Sequence, residues 1–303
     1  MSLLSKLKGT GKSGYGYGST AEDVTAGLDL SGKTFLITGC NSGIGLETAR
    51  VLALRGARLV AAARTVKKAE DAMSPFTKNF RAVACELSEP KSVAAAVASL
   101  QDETLDGIIC NAGIMALPKL NLSHGYELQF MTNHIGHFIL VTGLLDRLTD
   151  DGRVVMLSSE GHKFTAKGGI DFQNLDGSKG YSSGRFYGQS KLSNLLFARE
   201  LATRLKPGQT ANAVHPGVIH TNLARNMASI VDGFLAVVGP LGLKTIPQGA
   251  ATQTWAATNP SLAKVTGQYL ADCNIAKSSK FGNDMVLAKH LWEVSEEIVA
   301  KVS

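Results

Sequence analysis

The chain has 303 residues, 44% of them hydrophobic and 18% charged, with a formal charge of +6. That is enough apolar material for a large core, which excludes a disordered chain, and the basic residues are scattered rather than gathered into the runs a nucleic-acid surface needs. Four cysteines, Cys40, Cys85, Cys110 and Cys273, lack C-x-x-C spacing, so neither a disulfide framework nor a metal site is expected, and a reducing compartment is.

The start, MSLLSKLKGTGKSGYGYGST, breaks its few leucines with Lys6 and Lys8. It reads as neither a secretory signal nor a membrane span, and a cytoplasmic location is expected. Residues 1–30 read as an N-terminal arm, mobile over GKSGYGYG (11–18), with tyrosines covering a partner subunit as the alternative. Residues 31–303 read as one domain.

That domain opens on KTFLITGCNSGIGLETARVLALR (33–55): an apolar β-branched run, a turn holding Gly39, Gly43 and Gly45, then helix-period residues. Glycines let a backbone approach a ligand closely, and the following helix presents free N–H groups and a positive dipole end, so a pyrophosphate is the natural occupant. The spacing departs from G-x-G-x-x-G, and a tight turn without ligand is the plain alternative.

Further strands are predicted over 57–64, 79–87, 105–113, 152–159, 210–217 and 266–271, with helices over 89–101, 123–149, 185–206, 247–258 and 284–301. This alternation, with several strands almost wholly apolar, predicts an α/β fold: one doubly wound domain, a parallel sheet of about seven strands with helices on both faces, and ligands at the strands' carboxyl ends. At the end of the second strand, where a carboxylate would favour a ribose 2′-hydroxyl, the chain has Ala62, Ala63 and Arg64. A guanidinium grips a 2′-phosphate, so NADP(H) is favoured over NAD(H); a solvated cation is the other reading of Arg64.

Tyr187 and Lys191 lie four apart on a predicted helix and share a face. A phenol used as acid and base near neutrality needs its pKa lowered by about three units, roughly 4 kcal/mol, and an ammonium at about 4 Å supplies roughly that at an effective dielectric near 20. Alone, Y-x-x-x-K is common on exposed helices. Here it accompanies T-G-x-x-x-G-I-G (Thr38 to Gly45), N-A-G (Asn111 to Gly113), Ser159 closing a strand, and P-G (Pro216 to Gly217).

With those motifs in that order, residues 30 to 275 resemble the short-chain dehydrogenase/reductase family. ELQFMTNHIGHF (127–138), SSEGHKF (158–164), FYGQSKLSN (186–194) and HPGVIHTNL (215–223) are similar to the branch containing retinol dehydrogenases and the related chloroplast envelope reductase. The resemblance implies a Rossmann-type domain in which Gly39, Asn41, Ser42, Gly43, Ile44 and Gly45 cradle the pyrophosphate and Arg64 takes the 2′-phosphate. It puts Glu86 and Leu87 near the adenine, Asn111, Ala112 and Gly113 along the adenosine ribose, Pro216, Gly217 and Val218 among the cofactor-binding residues, and Thr221 on the carboxamide. Tyr187 would be the acid/base, Lys191 would lower its pKa and hold the nicotinamide ribose, Asn133 would support a proton relay, and Ser159 would hold the substrate oxygen. Ser158 and Ser159 cannot be told apart by residue type; the family pattern selects Ser159.

Two departures stand out. Glu86 replaces the family's usual Asp, and the gap from Ser159 to Tyr187 is long. The insert 160–185 is expected to shape substrate access, and the resemblance implies that 222–246 forms an apolar lid, with shallow membrane contact as the lesser option. His134 and His137, three apart, lack a third ligand and read as packing, as do His215 and His220. The expected activity is NADP(H)-dependent interconversion of a carbonyl and an alcohol on a mainly apolar aldehyde, ketone or alcohol. Reduction of a conjugated C=C bond and a non-catalytic NADPH sensor are the rivals. A homodimer or homotetramer is expected from the family.

Overall fold

The computed structural model describes residues 9–219 and 243–302. Eight strands form its main sheet: β1 (Thr34–Thr38), β2 (Arg58–Ala63), β3 (Phe80–Ala84), β4 (Leu105–Cys110), β5 (Leu148–Leu157), β6 (Thr210–His215), β7 (Tyr269–Ala271) and β8 (Asn274–Ile275). Their order is β3-β2-β1-β4-β5-β6-β7-β8, parallel throughout except for β8, which runs antiparallel to β7. The order reverses between β1 and β4. In a doubly wound sheet that switch point opens a crevice at the carboxyl ends, where Gly39 and Asn111 stand.

Every residue of β1 is buried, because both faces are covered. Its alternation assigns Leu36 to one core, under α3 (Pro90–Ser99), α4 (Gly136–Leu144), α5 (Ser183–Ala202) and α7 (Met285–Val302). Phe35 and Ile37 enter the other, under α1 (Gly43–Leu54), α2 (Val66–Met73) and α6 (Ile246–Thr258). Full burial of Leu36 or Ile37 is worth about 2 kcal/mol, and a polar replacement on either face would lose that. Ion pairs gather at the opposite, amino-terminal edge: Arg58 and Arg81 both reach Glu103, and Lys33 reaches Asp106 at 2.8 Å. One edge is thus braced by structural charge pairs while the other carries the crevice.

The structure departs from the sequence reading in four places. The predicted helix 123–149 begins as a small hairpin (Leu122–Ser123 with Tyr126–Glu127) and contains a π-helical turn, Met131–Ile135, ahead of α4. The helix α2 is absent from the prediction, having only Ala69 and Met73 buried among charged residues. The strand β8 is two residues long and follows a turn in which Asp272 and Cys273 have φ of +50° and +56°, a hairpin geometry normally signalled by Asn-Gly. Finally, residues 11–18, expected to be a mobile arm, dock on the domain. Ser13 N donates to Asn274 Oδ1 at 3.1 Å, Asn274 Nδ2 donates to the Tyr15 carbonyl at 3.0 Å, and Tyr17 is buried. Thr221, His220 and nearly all of the expected lid 222–246 lie outside the described residues.

Candidate active site

The nucleotide end of the crevice is built from β1 and β4. Gly39 and Gly43 adopt φ of +66° and +57°, which L side chains rarely tolerate. A Cβ on Gly45 would lie 2.3 Å from both the Gly39 carbonyl oxygen and Asn111 Nδ2, so the turn closes only with glycine there. Ser42 precedes α1 in an extended conformation and gives the first turn no side-chain cap, which leaves its amides to a ligand. The residues present fit a dinucleotide.

Asn111 turns inward: its Nδ2 donates to the Thr38 carbonyl at 2.9 Å, and its Oδ1 accepts from Gln253 Nε2 at 3.2 Å. Its side chain therefore fixes the glycine turn, and the backbone of 111–113 forms the crevice wall. Arg64 is exposed at the end of β2 with no hydrogen-bond or ion-pair partner among the described residues. The Glu86 carboxylate accepts from Ser88 Oγ at 3.0 Å, folded back on its own loop. Leu87 is buried, its carbonyl 2.2 Å from where a Cβ on Gly136 would stand. Asn41 is exposed, Ile44 is buried, and Pro216 to Val218 form a turn after β6, with Gly217 at φ +99° and Val218 exposed.

Tyr187 and Lys191 lie on one face of α5. Lys191 Nζ is 5.8 Å from the Tyr187 ring centre and donates to the Leu157 carbonyl at 3.1 Å. Removal from water pushes the ammonium down to about 8 and raises the phenol above its ordinary value, an effect that a hydrogen bond from the Ser159 side chain partly opposes. The structure adds a partner that the spacing does not show: the ammonium points to the Leu157 carbonyl at the end of β5, so burial acts on both groups of the pair.

The two serines separate cleanly. Ser158 is buried and its hydroxyl donates to the Lys191 carbonyl at 2.8 Å, tying β5 to α5. Ser159 caps the 3₁₀ turn Glu160–Lys163, where its Oγ accepts from Gly161 N at 3.1 Å and faces Tyr187. Its carbonyl accepts from His162 Nδ1, whose Nε2 in turn accepts from Ser279 N at 3.0 Å.

Asn133 sits at the centre of the π-helical turn, fully buried. Its Oδ1 accepts from Ile114 N at 2.8 Å, and its Nδ2 donates to the Ile114 carbonyl at 3.0 Å and to Ser190 Oγ at 2.9 Å. A Cβ on Gly113 would fall 3.1 Å from Asn133 Oδ1 and 3.3 Å from Lys191 Nζ, so the N-A-G turn passes against both. A π-bulge here widens the helix enough to aim the amide at that turn.

Sequence reasoning missed the groups behind these. Burial drives His137 down to about 4, so it is neutral; its Nδ1–H donates to the Asn133 carbonyl at 2.9 Å, which makes Nε2 the acceptor for Thr38 Oγ1 at 2.9 Å. The same Thr38 oxygen accepts from Asn111 N and Ala112 N at 3.0 Å. Thus His137 and Thr38 join the π-turn to the N-A-G turn. The Thr of the T-G motif was their only signal.

Beside Tyr187 opens a cavity of about 580 Å³ lined by Met115, Ala116, Gly161, Phe164, Thr165, Gly184, Arg185 and Tyr187. Most of its lining comes from the insert, which is ordered by Tyr181 Oη donating to the Leu117 carbonyl at 2.7 Å and by Asp171 N donating to Gln189 Oε1 at 2.8 Å. Fold and site together define a dinucleotide-binding α/β enzyme class with a phenol on the cavity wall and a buried ammonium behind it.

A sequence profile described as short chain dehydrogenase matches residues 33–230. The chain belongs to the short-chain dehydrogenase/reductase family and is a nicotinamide-nucleotide-dependent oxidoreductase of that family. It is 42% identical over 306 residues to short-chain dehydrogenase TIC 32 A, chloroplastic, of Brassica napus, covering 95% of each chain. It is 38% identical to retinol dehydrogenase 11 of Mus musculus, over 91% of this chain and 89% of that one. Among solved structures, an uncharacterised Mycobacterium paratuberculosis protein superimposes with a TM-score of 0.76 at 33% identity, covering 93% of this chain and 98% of that one. A blue fluorescent protein from a metagenomic library, in complex with NADPH, gives 0.64 at 26% identity over 80% and 97%. Among the described residues no helix is long and apolar enough to cross a membrane.

Proposed function

We propose that the protein uses NADP(H) to interconvert a carbonyl and an alcohol on a mainly apolar small molecule, with Tyr187 as the acid/base. The observation that carries this is the position of Tyr187, which lines the 580 Å³ cavity on one side and meets the Ser159 side chain on the other. Apolar walls at Met115, Ala116 and Phe164 favour an apolar substrate.

When bound, the nicotinamide supplies or accepts the hydride. Tyr187 gives its proton to the carbonyl oxygen that Ser159 holds, or takes it back from an alcohol. Lys191 presents its ammonium beneath the phenol, and a charge developing on the phenol oxygen is stabilised by it. Asn133 fixes the Ile114 backbone beside Lys191 and holds Ser190, so it orients the helix turn that bears the phenol.

Arg64, exposed and unpaired among the described residues, supports the phosphorylated dinucleotide. The test is nucleotide oxidation with a panel of apolar aldehydes, ketones and enones, with the products identified. Alcohol formation with NADPH preferred over NADH is expected. Saturation of a C=C bond instead, or tight NADPH binding with no turnover on any substrate, would overturn this reading.

A further inference from the structure

A second built cluster lies behind the site. The Lys244 side chain is wholly buried, and its ammonium is 2.7 Å from Asp272 Oδ1, without an aligned hydrogen bond, and 4.9 Å from the centre of the Tyr17 ring. The three residues come from distant parts of the chain: the docked arm, the segment leading into α6, and the β7–β8 turn. Asp272 holds a left-handed φ of +50° there, and Tyr17 is only 7% exposed. An ammonium taken out of water needs such partners, one carboxylate and the negative face of a ring.

What gives the cluster meaning is the other end of the lysine. Lys244 N donates to the Val218 carbonyl at 2.9 Å. Its stem packs so closely under Gly217 that a Cβ there would stand 2.6 Å from Lys244 Cδ. The clamp therefore braces the Pro216–Val218 turn from behind. That turn follows β6 on the same edge of the sheet as Ser159, and the preceding His215 accepts from Glu160 N at 3.3 Å, next to Ser159 itself.

We propose that Tyr17 and Lys244 are positioning residues for the nucleotide: the ring holds the ammonium down, the lysine holds the Pro216–Val218 turn, and the turn meets the nicotinamide half. The inference rests on the reading of that turn as part of a nicotinamide-nucleotide site. The clamp thus ties the N-terminal arm to the turn after β6 and to the β7–β8 turn, so the arm contributes to the affinity for the nucleotide.

The test compares NADPH with adenosine 2′,5′-bisphosphate, which lacks the nicotinamide half, by calorimetric titration of the full chain. Tyr17→Leu is expected to raise the Kd for NADPH roughly three- to tenfold while leaving the fragment's Kd unchanged, and Tyr17→Phe, which keeps the ring face, is expected to restore it. Lys244→Gln retains most of the stem but not the charge and is expected to show the same selective loss, which guards against a Tyr17→Leu variant that folds poorly. Equal weakening of both ligands, or of neither, would overturn the inference and leave the site reading intact. Failure of the native chain to bind NADPH would overturn that reading, and the inference with it.

Discussion

Replacing Lys191 with methionine is expected to stabilise the fold while abolishing turnover. Burial moves the ammonium from an ordinary 10.5 to about 8, a shift of about 2.5 units, or about 3 kcal/mol. Between those two values the unfolded chain binds more protons than the folded one, so stability rises with pH across that window. At pH 7 both states are protonated and the penalty is present in full; above 10.5 both are neutral and it is gone. Lys191→Met removes the penalty at pH 7. The substitution strands no acceptor, because the Leu157 carbonyl keeps a 2.9 Å bond from Asn194 Nδ2. With about 1 kcal/mol lost for the hydrogen bond, the net gain is about 2 kcal/mol, a rise in Tm of about 3 °C for a domain of this size. Thermal unfolding without nucleotide would show that rise at pH 7 and little of it above pH 10.5, with kcat down about 10²-fold or more. A lower Tm for Lys191→Met at pH 7 would refute the argument that the lysine is held at a cost to the fold.

The serine pair should divide its effects: Ser159→Ala lowers kcat about 10²-fold with little change in Tm, whereas Ser158→Ala costs about 1 kcal/mol in urea unfolding and leaves most of the turnover. Acid should unfold the chain early. Burial depresses His134 to about 3 and His137 and His215 to about 4, so below about 6.5 the unfolded state takes up protons that the folded state refuses, and stability falls with pH. Urea midpoints at pH 5 and 7 would show this, and equal midpoints would contradict it. Arg64→Glu should reverse the preference between NADPH and NADH, read as the ratio of kcat/KM for the two nucleotides.

The doubly wound sheet could be read from the chain because strands buried on both faces are short continuous apolar runs and most of the helices between them carry an apolar stripe. The glycine turn could be read because Gly39, Gly43 and Gly45 are demanded by backbone geometry. What escaped depends on long-range contacts. The π-turn around Asn133 has no local signature, since Met131 to Ile135 read as ordinary helix. The helix α2 buries too little to show a period. The docking of the arm is decided by Asn274 and Lys244, more than two hundred residues away. The orientation of the Lys191 ammonium also escaped: spacing shows that it shares a face with Tyr187, whereas the Leu157 carbonyl, distant in sequence, decides where it points.

The central claim is that the Tyr187 hydroxyl moves the proton and does not merely help to bind ligands. Tyr187→Phe keeps the ring and removes only the oxygen, so single-turnover reduction of a carbonyl substrate on NADPH-saturated enzyme tests it directly. The account predicts NADPH binding within about twofold of the native chain and a chemical step slower by about 10² to 10⁴. A Tyr187→Phe enzyme that binds NADPH and reduces the carbonyl at the native rate would contradict it.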